Sequence, residues 1–349
     1  MVTLQVLLPF TDANGFGDPS ILSSLKTVQD AVPTPTQTVV IGGMAALLTL
    51  VAGWPGSLLS GVIVKRYDAV LKRLRERRKR PRAVTPPARQ PIVLALLGFL
   101  VAAVISGFVD PGFGLNPLSV RIVVTGFLTY LVFNVVGSEI VAAVVRRVQP
   151  DSRPFLHFRW GSLVIVVLAV CAARLLGFQP GIVFGLVAGL TFAITLAESR
   201  EALVVLVGSG FTLGVALVAW VAFSFVAPAT AGSGNVLLVS TTEFLSGLTI
   251  GGISSLPIVL LPFAVLEGGS LFGWKKWVWA FAYAIALVAF MVILVTVPNE
   301  LGLIPADFVR WVVIFAAFGF VAVIIWAIDL AVSSRAEKKA SLISAPKTR

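Results

Sequence analysis

Side chains able to carry out metal or nucleophilic chemistry are few and far apart in this sequence. The chain has one histidine, His157, and one cysteine, Cys171. A structural zinc site needs four nitrogen or sulfur ligands and a catalytic one about three ligands from the protein. We therefore expect no metal, no cofactor, no internal disulfide and no catalytic residue set. A cysteine–histidine nucleophile is also disfavoured, because Cys171 lies inside an apolar run and His157 lies in a loop.

Four ionisable residues lie inside or at the ends of apolar runs, where a charge is costly and marks a possible site. Glu139 lies seven residues before Arg146, roughly 10 Å from the cytoplasmic surface at 1.5 Å per residue. It is either a neutral, hydrogen-bonded carboxyl or a proton carrier with a raised pKa. Glu267 closes a run on the same side. Arg174 and Glu243 lie towards the opposite side, where Arg174 either extends to the interface or pairs with Glu243.

The elements that must position these residues are membrane spans. Of 349 residues, 58% are hydrophobic and 12% charged, whereas soluble domains have about 25% charged residues. A helix needs roughly 20 apolar residues to cross the hydrocarbon core. The sequence predicts an all-α, polytopic transmembrane bundle with about nine spans, at 38–64, 91–109, 120–145, 161–178, 182–197, 202–227, 241–266, 277–297 and 311–330. The fifth run is short and could instead be re-entrant.

The basic residues predict the orientation of these spans. With the N-terminus outside, 23 of the 27 lysines and arginines fall on the cytoplasmic side, as the positive-inside rule requires. This gives an extracytoplasmic segment 1–37, a transmembrane domain 38–330 with a basic cytoplasmic loop 65–90, and a cytoplasmic tail 331–349. The composition is typical of bacterial proteins, which predicts the plasma (inner) membrane.

The net charge of +11 comes largely from one short segment, since 11 basic residues lie between Lys65 and Arg89. Basic segments beside a span usually set topology or bind anionic headgroups. We therefore expect anionic lipid, and no nucleic acid, as the partner of residues 65–82.

Glycines spaced four residues apart predict where helices pack closely, because small residues let backbones approach in lipid. The sets lie in the fifth, sixth and seventh runs. An intramolecular contact is the first interpretation, and a homodimer face is the alternative. The residues are Gly181, Gly185, Gly189, Gly210, Gly214, Gly247 and Gly251.

Two stretches resemble the site-2 protease family of intramembrane zinc metalloproteases. Residues 262–269, Pro-Phe-Ala-Val-Leu-Glu-Gly-Gly, resemble its motif of Pro, three residues, then Leu-Asp-Gly-Gly, whose aspartate binds zinc. Residues 138–143, Ser-Glu-Ile-Val-Ala-Ala, align with its His-Glu-x-x-His-Ala helix, so Glu139 matches the general base. Both histidines are lost, to Ser138 and Ala142, and the aspartate is replaced by Glu267. The resemblance covers residues 120–275 and implies an inactive member, because the two imidazoles that hold the metal are missing.

These observations predict a non-catalytic integral membrane protein, a degraded site-2-protease-like scaffold that binds another membrane or secreted protein. A transporter or channel with a polar path near Glu139 and Glu267 is the alternative, and an active intramembrane enzyme is the third. If the resemblance holds, the third and seventh runs lie side by side with Glu139 facing Glu267.

Overall fold

The fold is known from a computed structural model. It describes residues 20–53, 90–150, 154–176, 186–191, 197–230, 235–263 and 266–295, with single positions at 309, 313, 320 and 324. The protein is mostly helical, at 80%. Five helices within these ranges are long and apolar enough to cross a membrane. The prediction of a mostly helical protein with several apolar helices of membrane-spanning length is confirmed, while the count of nine spans stays a prediction.

The helices and strands follow one another in a simple order. Five helices are candidate membrane spans: α1 (Pro35–Gly53), the continuous unit of α3 and α4 (Pro117–Val148), α6 (Glu198–Thr230), α7 (Val236–Val259) and α9 (Lys276–Leu294). Two shorter apolar helices, α2 (Ile92–Gly107) and α5 (Ser162–Leu176), lie in the second and fourth predicted runs. In chain order the elements are α1 (Pro35–Gly53), α2 (Ile92–Gly107), α3 (Pro117–Leu131), α4 (Gly137–Val148), β1 (Phe155–Phe158), α5 (Ser162–Leu176), β2 (Ala188–Thr191), α6 (Glu198–Thr230), α7 (Val236–Val259), α8 (Glu267–Trp274) and α9 (Lys276–Leu294).

The α3–α4 unit is one helix interrupted by a π-helical turn at Val132–Val136. It begins at a strong start signal: Asn116 accepts a hydrogen bond from the Ser119 amide, and Pro117 takes the first helical position. The π-turn adds a residue to the helix and changes the direction in which side chains point. Such turns are rare and often occur at functional sites.

The fifth predicted run, 182–197, is not a helix where the structure describes it. Residues 188–191 form β2, which pairs antiparallel with β1, and Phe155 lies opposite Thr191. The extended backbone is satisfied by this pairing and by a side chain of the π-turn, as described below. An irregular segment is tolerated in a membrane protein where other protein groups satisfy its backbone. Most of the run 311–330 lies outside the described residues.

The seventh run ends earlier than predicted. Helix α7 stops at Val259, two residues after Pro257, and the chain then turns through Pro262, which has no backbone donor. Glu267 therefore does not close a span: it begins the separate short helix α8.

The main hydrophobic core lies between α1, α6, α7, α8 and α9. Helix α7 is the most central of these, because α6, α3 and α9 all pack against it. Gly252 shows how close this packing is. A Cβ added there would lie 2.8 Å from the Ala216 Cβ and 2.9 Å from the Phe133 ring, so a side chain could not fit without movement.

Residues 20–31, which we call the N-terminal strap, cross one end of this bundle. The only helical element of the strap is a 3-10 turn at Ile21–Ser24. Its polar contacts reach several helices. The Val28 amide donates to the Ser224 hydroxyl, the Trp220 indole donates to the Lys26 carbonyl, and the Lys26 ammonium donates to the Val295 carbonyl.

Candidate functional site

Two polar clusters stand out within the described part of this apolar bundle, one under the strap and one around the small sheet. The first is centred on a buried ion pair between Arg121 of α3 and Glu243 of α7. The Arg121 Nε donates to Glu243 Oε2 and its Nη2 to Oε1, both at 2.8 Å. The side chains are 3% and 0% exposed. Such a two-point contact fixes the two helices relative to each other.

The strap completes this cluster through its backbone. The Ser20 amide donates to Glu243 Oε1 at 3.2 Å, and the Ile21 amide donates to Asp110 Oδ2 at 2.7 Å. The Ser246 hydroxyl donates to the Leu22 carbonyl. Asp110 also accepts the Gly112 amide, so each carboxylate has a set of donors. A buried carboxylate needs this compensation, and the strap therefore closes the cluster at this end.

A cavity of about 40 Å³ lies beneath the strap, next to Glu243. Ile21 and Leu22 line one side of it, and Ser106 and Tyr130 supply hydroxyl groups that bond to each other at 2.7 Å. A water needs roughly 10–15 Å³ by this measure, so the space is large enough to admit water. The lining is largely apolar, and the cavity is too small for an organic solute.

Arg174 does not join the ion pair. Its Nε donates to the Phe108 carbonyl at 2.6 Å, and its Nη2 donates to the Asp110 carbonyl at 3.3 Å. Glu243 is instead held by Arg121. Arg121 lies five residues after the helix start at Asn116, near the end of the predicted span 120–145, and for that reason it was not among the four candidate charges.

Glu139, the match to the family's general base, lies on α4 and pairs with a residue of its own helix. The Arg146 guanidinium donates to Glu139 Oε2 at 3.0 Å, and the two side chains are 52% and 71% exposed, Arg146 first. Ser138 and Ala142 occupy the histidine positions of the motif. No group of three or more potential metal ligands is present in the ranges that the structure covers.

The second cluster is built on the small sheet and is anchored by Asn134 of the π-turn. Asn134 is 1% exposed, and its side-chain oxygen accepts the backbone amides of Val187 and Ala188 at 3.0 and 2.8 Å. Its amide nitrogen donates to the Tyr130 carbonyl within the helix. One side chain therefore satisfies two backbone amides of the extended segment that enters the bundle, and an amide side chain suits this role because it has both an acceptor and a donor.

Strand β1 carries alternating side chains on two faces. Phe158 points into the core, where it packs edge-on against Phe99. His157 and Arg159 belong to the opposite face. The guanidinium of Arg159 lies over Gly189, because a Cβ there would come within 2.5 Å of it.

Glu267 lies close enough to this face for its charge to interact with that of Arg159. Burial raises the pKa of the Glu267 carboxyl above its usual range, and the positive charge of Arg159 partly opposes this. Gly268, next in the motif, presses against the Leu260 carbonyl so closely that any side chain would overlap it. Only a residue without a side chain therefore fits at position 268, at the turn into α8.

The glycines that the sequence predicted at helix contacts fall into four groups. Gly247 lies against α3, where an added Cβ would be 3.0 Å from Thr129 Oγ1, and Gly251 is buried in α7. Gly189 lies in the sheet and not between helices. Gly210 and Gly214 face open space, with nothing described within 4 Å of an added Cβ, so they do not mark an intramolecular contact there. Gly181 and Gly185 lie outside the described residues.

Comparisons with known proteins give no relative for this arrangement. No family model, no curated protein sequence and no solved structure matches the chain.

Proposed function

We propose that this protein is a non-catalytic membrane scaffold, with a degraded site-2-protease-like core, that binds another membrane or secreted protein. The observation that carries the proposal is an open apolar groove between α6 and α7. A catalytic role lacks support in the sequence, where Ser138 and Ala142 stand at the two metal-binding positions of the motif. The carboxyls that remain have cationic neighbours, Arg146 beside Glu139 and Arg159 near Glu267.

The groove has the chemistry of a surface that receives a helix. Gly214, Val218, Leu245 and Leu248 are among the residues that line it, and all of the lining residues are apolar or small. The exposed stripe of α6 continues from Gly210 and Gly214 to Val218 and Phe225, of which the last is 78% exposed. In lipid, small residues on such a stripe allow the backbone of a second helix to approach closely. This surface therefore favours a partner that itself spans the membrane.

A photoreactive amino acid at Val218, introduced in intact cells, tests this proposal. We expect a discrete protein adduct, to be identified by mass spectrometry, and expect Gly214→Leu to remove it by filling the groove. Gly43→Leu is the matched control, because Gly43 on α1 also faces open space, and it should leave the adduct intact. Adducts with lipid alone would contradict the scaffold proposal, and an adduct with a second copy of the chain would identify a homodimer.

We also propose the nine-span topology, with the N-terminus outside and the C-terminus in the cytoplasm of a bacterial plasma membrane. The contacts support the predicted alternation. Arg174 reaches the loop after α2, predicted outside, and Arg200 donates to the Val148 carbonyl at the end predicted inside. Cysteines at positions 115, 233 and 302 should label from outside intact cells, and those at 78, 155 and 342 should not. Inside-only labelling at 233 would refute the span count.

The enzyme and transporter alternatives have simpler tests. The purified protein should contain no stoichiometric zinc, because it has a single histidine and a single cysteine; about one zinc per chain would reopen the protease alternative. A transporter would need a water-filled route to its polar groups. The cavity beside Glu243 is the observation that favours one, and we expect Thr125→Cys, which lines it, to resist membrane-impermeant thiol reagents. Rapid labelling there would favour transport over scaffolding.

A further inference from the structure

The polar face of the small sheet carries hydrogen-bond donors without acceptors. His157 Nδ1 is buried and has no hydrogen-bond partner in the structure. The Arg159 guanidinium forms no hydrogen bond or ion pair with the part of the chain that the structure describes, and its residue is exposed. A buried donor left without a partner costs free energy. His157 Nδ1 is such a donor, and the exposed guanidinium of Arg159 offers further donors on the same face to an incoming acceptor.

The hydrogen bonds of Gln90 determine which nitrogen of His157 carries the proton. The Phe158 amide donates to Gln90 Oε1 at 2.9 Å, which fixes the orientation of the Gln90 side-chain amide. Gln90 Nε2 then faces His157 Nε2 at 3.5 Å. Because the amide nitrogen can only donate, Nε2 of the neutral imidazole must accept and the proton lies on Nδ1. The unpartnered Nδ1 is therefore an N–H donor.

The register of the sheet places this donor beside the guanidinium. His157 lies directly opposite Gly189, and side chains of opposed residues share one face. Arg159 lies over Gly189, in the space that a side chain at position 189 would fill. Its guanidinium therefore lies on the same face as the imidazole and next to it, since the Cβ positions of opposed residues are roughly 4.5–5.5 Å apart. Glycine at position 189 is what makes this arrangement possible.

We propose that Arg159 and His157 form a binding site for a phosphate group. A phosphate presents several strong acceptor oxygens: two can accept from the planar fork of a guanidinium, and a further oxygen is available for the imidazole N–H. Trp160, 45% exposed at the start of α5, is the amphipathic residue expected at a membrane interface. The phosphate can come from an anionic lipid headgroup or from a soluble phosphate. Glu267 competes with the phosphate for Arg159, since the charge of Glu267 acts on the guanidinium without forming an ion pair.

The single histidine makes the test direct, because protein labelled with 15N-histidine gives signals from one imidazole. The full chain is purified in a maltoside detergent, which contains no phosphate. One arm adds inorganic phosphate and the other adds phosphatidylglycerol in mixed micelles, with sodium chloride matched for ionic strength. We expect a saturable shift of the imidazole signals in at least one arm. A shift with phosphatidylglycerol alone identifies a lipid headgroup, and a shift with inorganic phosphate identifies a soluble source.

Variants of Arg159 connect the shift to the proposed site. Arg159→Gln should weaken binding at least about tenfold, because a charge-assisted hydrogen bond is lost. Arg159→Lys keeps the cation and should retain measurable binding, which separates loss of the site from misfolding. Arg147→Gln is the matched control: Arg147 is an exposed arginine on the preceding helix, and its loss should change the affinity by less than about twofold. No saturable shift in either arm, or an equal affinity in Arg159→Gln, would overturn the proposal.

Discussion

The two ends of the α3–α4 helix each carry an ion pair of similar length in opposite surroundings. At one end, Arg121 contacts Glu243 of α7 at 2.8 Å, with both side chains almost completely buried. At the other end, Arg146 contacts Glu139 at 3.0 Å, with both side chains more than half exposed. The first pair joins two helices and the strap, whereas the second stays within one helix.

This difference shows that burial and connectivity, and not the distance between the charges, decide what an ion pair does. An exposed pair is worth about 0–1 kcal/mol because water and salt screen it. Removal of one partner of a buried pair is far more costly, since the remaining charge has no compensation in a low dielectric. We therefore expect the Arg121–Glu243 pair to hold the fold together and the Glu139–Arg146 pair to be dispensable.

Loss of the buried carboxylate should give the largest effect. Glu243→Gln leaves Arg121 charged and buried and weakens the acceptor for the Ser20 amide, so we expect destabilisation of about 3–5 kcal/mol. The measurement is unfolding of the purified protein in detergent, followed by circular dichroism. Limited proteolysis at the strap should become faster in the same variant, because one of its anchors is lost.

The double variant Arg121→Met with Glu243→Met separates charge burial from packing. It removes both charges and keeps apolar volume, so it should recover much of the stability that Glu243→Gln loses. If the double variant is no more stable than Glu243→Gln, the hydrogen bond to the strap, rather than the unpaired charge, would account for the loss.

The sequence predicted the apolar spans well because hydropathy depends on runs of many residues. Spans corresponding to α3–α4, α6, α7 and α9 follow from length and composition alone. It did not predict β2, because Ala188 to Thr191 is as apolar as a span and its pairing depends on β1, more than 30 residues earlier. Asn134 was the available signal: a buried amide inside an apolar run needs partners, and here they are the amides of the extended segment.

The polar sites were predicted less well, because pairing in three dimensions is not visible in spacing. Glu243 was recognised as a costly charge, but its partner proved to be Arg121, 122 residues away. Arg174, the candidate partner, instead binds backbone carbonyls. Whether Glu139 and Glu267 face each other stays a prediction; each has a cationic neighbour of its own.

Substitution of Glu267, near the sheet, should have an intermediate effect on the stability of the protein, and the size of this effect should depend on pH. Its pKa is raised in the folded protein by burial, so the folded state binds more protons than the unfolded state between the ordinary and the raised value. Stability therefore falls as pH rises through that window. Glu267→Gln mimics the protonated form and should remove this slope and raise the melting temperature above the window. Melting curves from about pH 4 to about pH 8 measure it.

The exposed Glu201 at the start of α6 is the matched control for this measurement. Glu201→Gln should keep the slope of the unmodified protein, because it leaves the buried Glu267 carboxyl in place. A slope that persists unchanged in Glu267→Gln would show that the carboxyl is solvated in the folded protein.

The smallest effect is expected at Glu139. Glu139→Gln removes the exposed pair with Arg146, whose side chain can extend to the headgroups once it is free, so the free energy of unfolding should change by less than about 1 kcal/mol. The same circular dichroism measurement applies, in a lipid nanodisc as well as in detergent. Raised salt should reduce the difference in free energy of unfolding between Glu139→Gln and the unmodified protein, because screening weakens the ion pair in the unmodified protein.

The nanodisc arm makes this last prediction decisive. Glu139 is exposed on the protein surface, and in a bilayer such a surface faces either headgroups and water or hydrocarbon. In the first case the carboxylate is solvated, and Glu139→Gln hardly changes the free energy of unfolding. In the second case the pair with Arg146 would be desolvated, and loss of Glu139 would leave a cation in the lipid at a cost of several kcal/mol. Destabilisation in the nanodisc that approaches that of Glu243→Gln would therefore erase the contrast between the two ends of the helix. An equal and small change in both media would establish that Glu139 lies at an ordinary interfacial helix end.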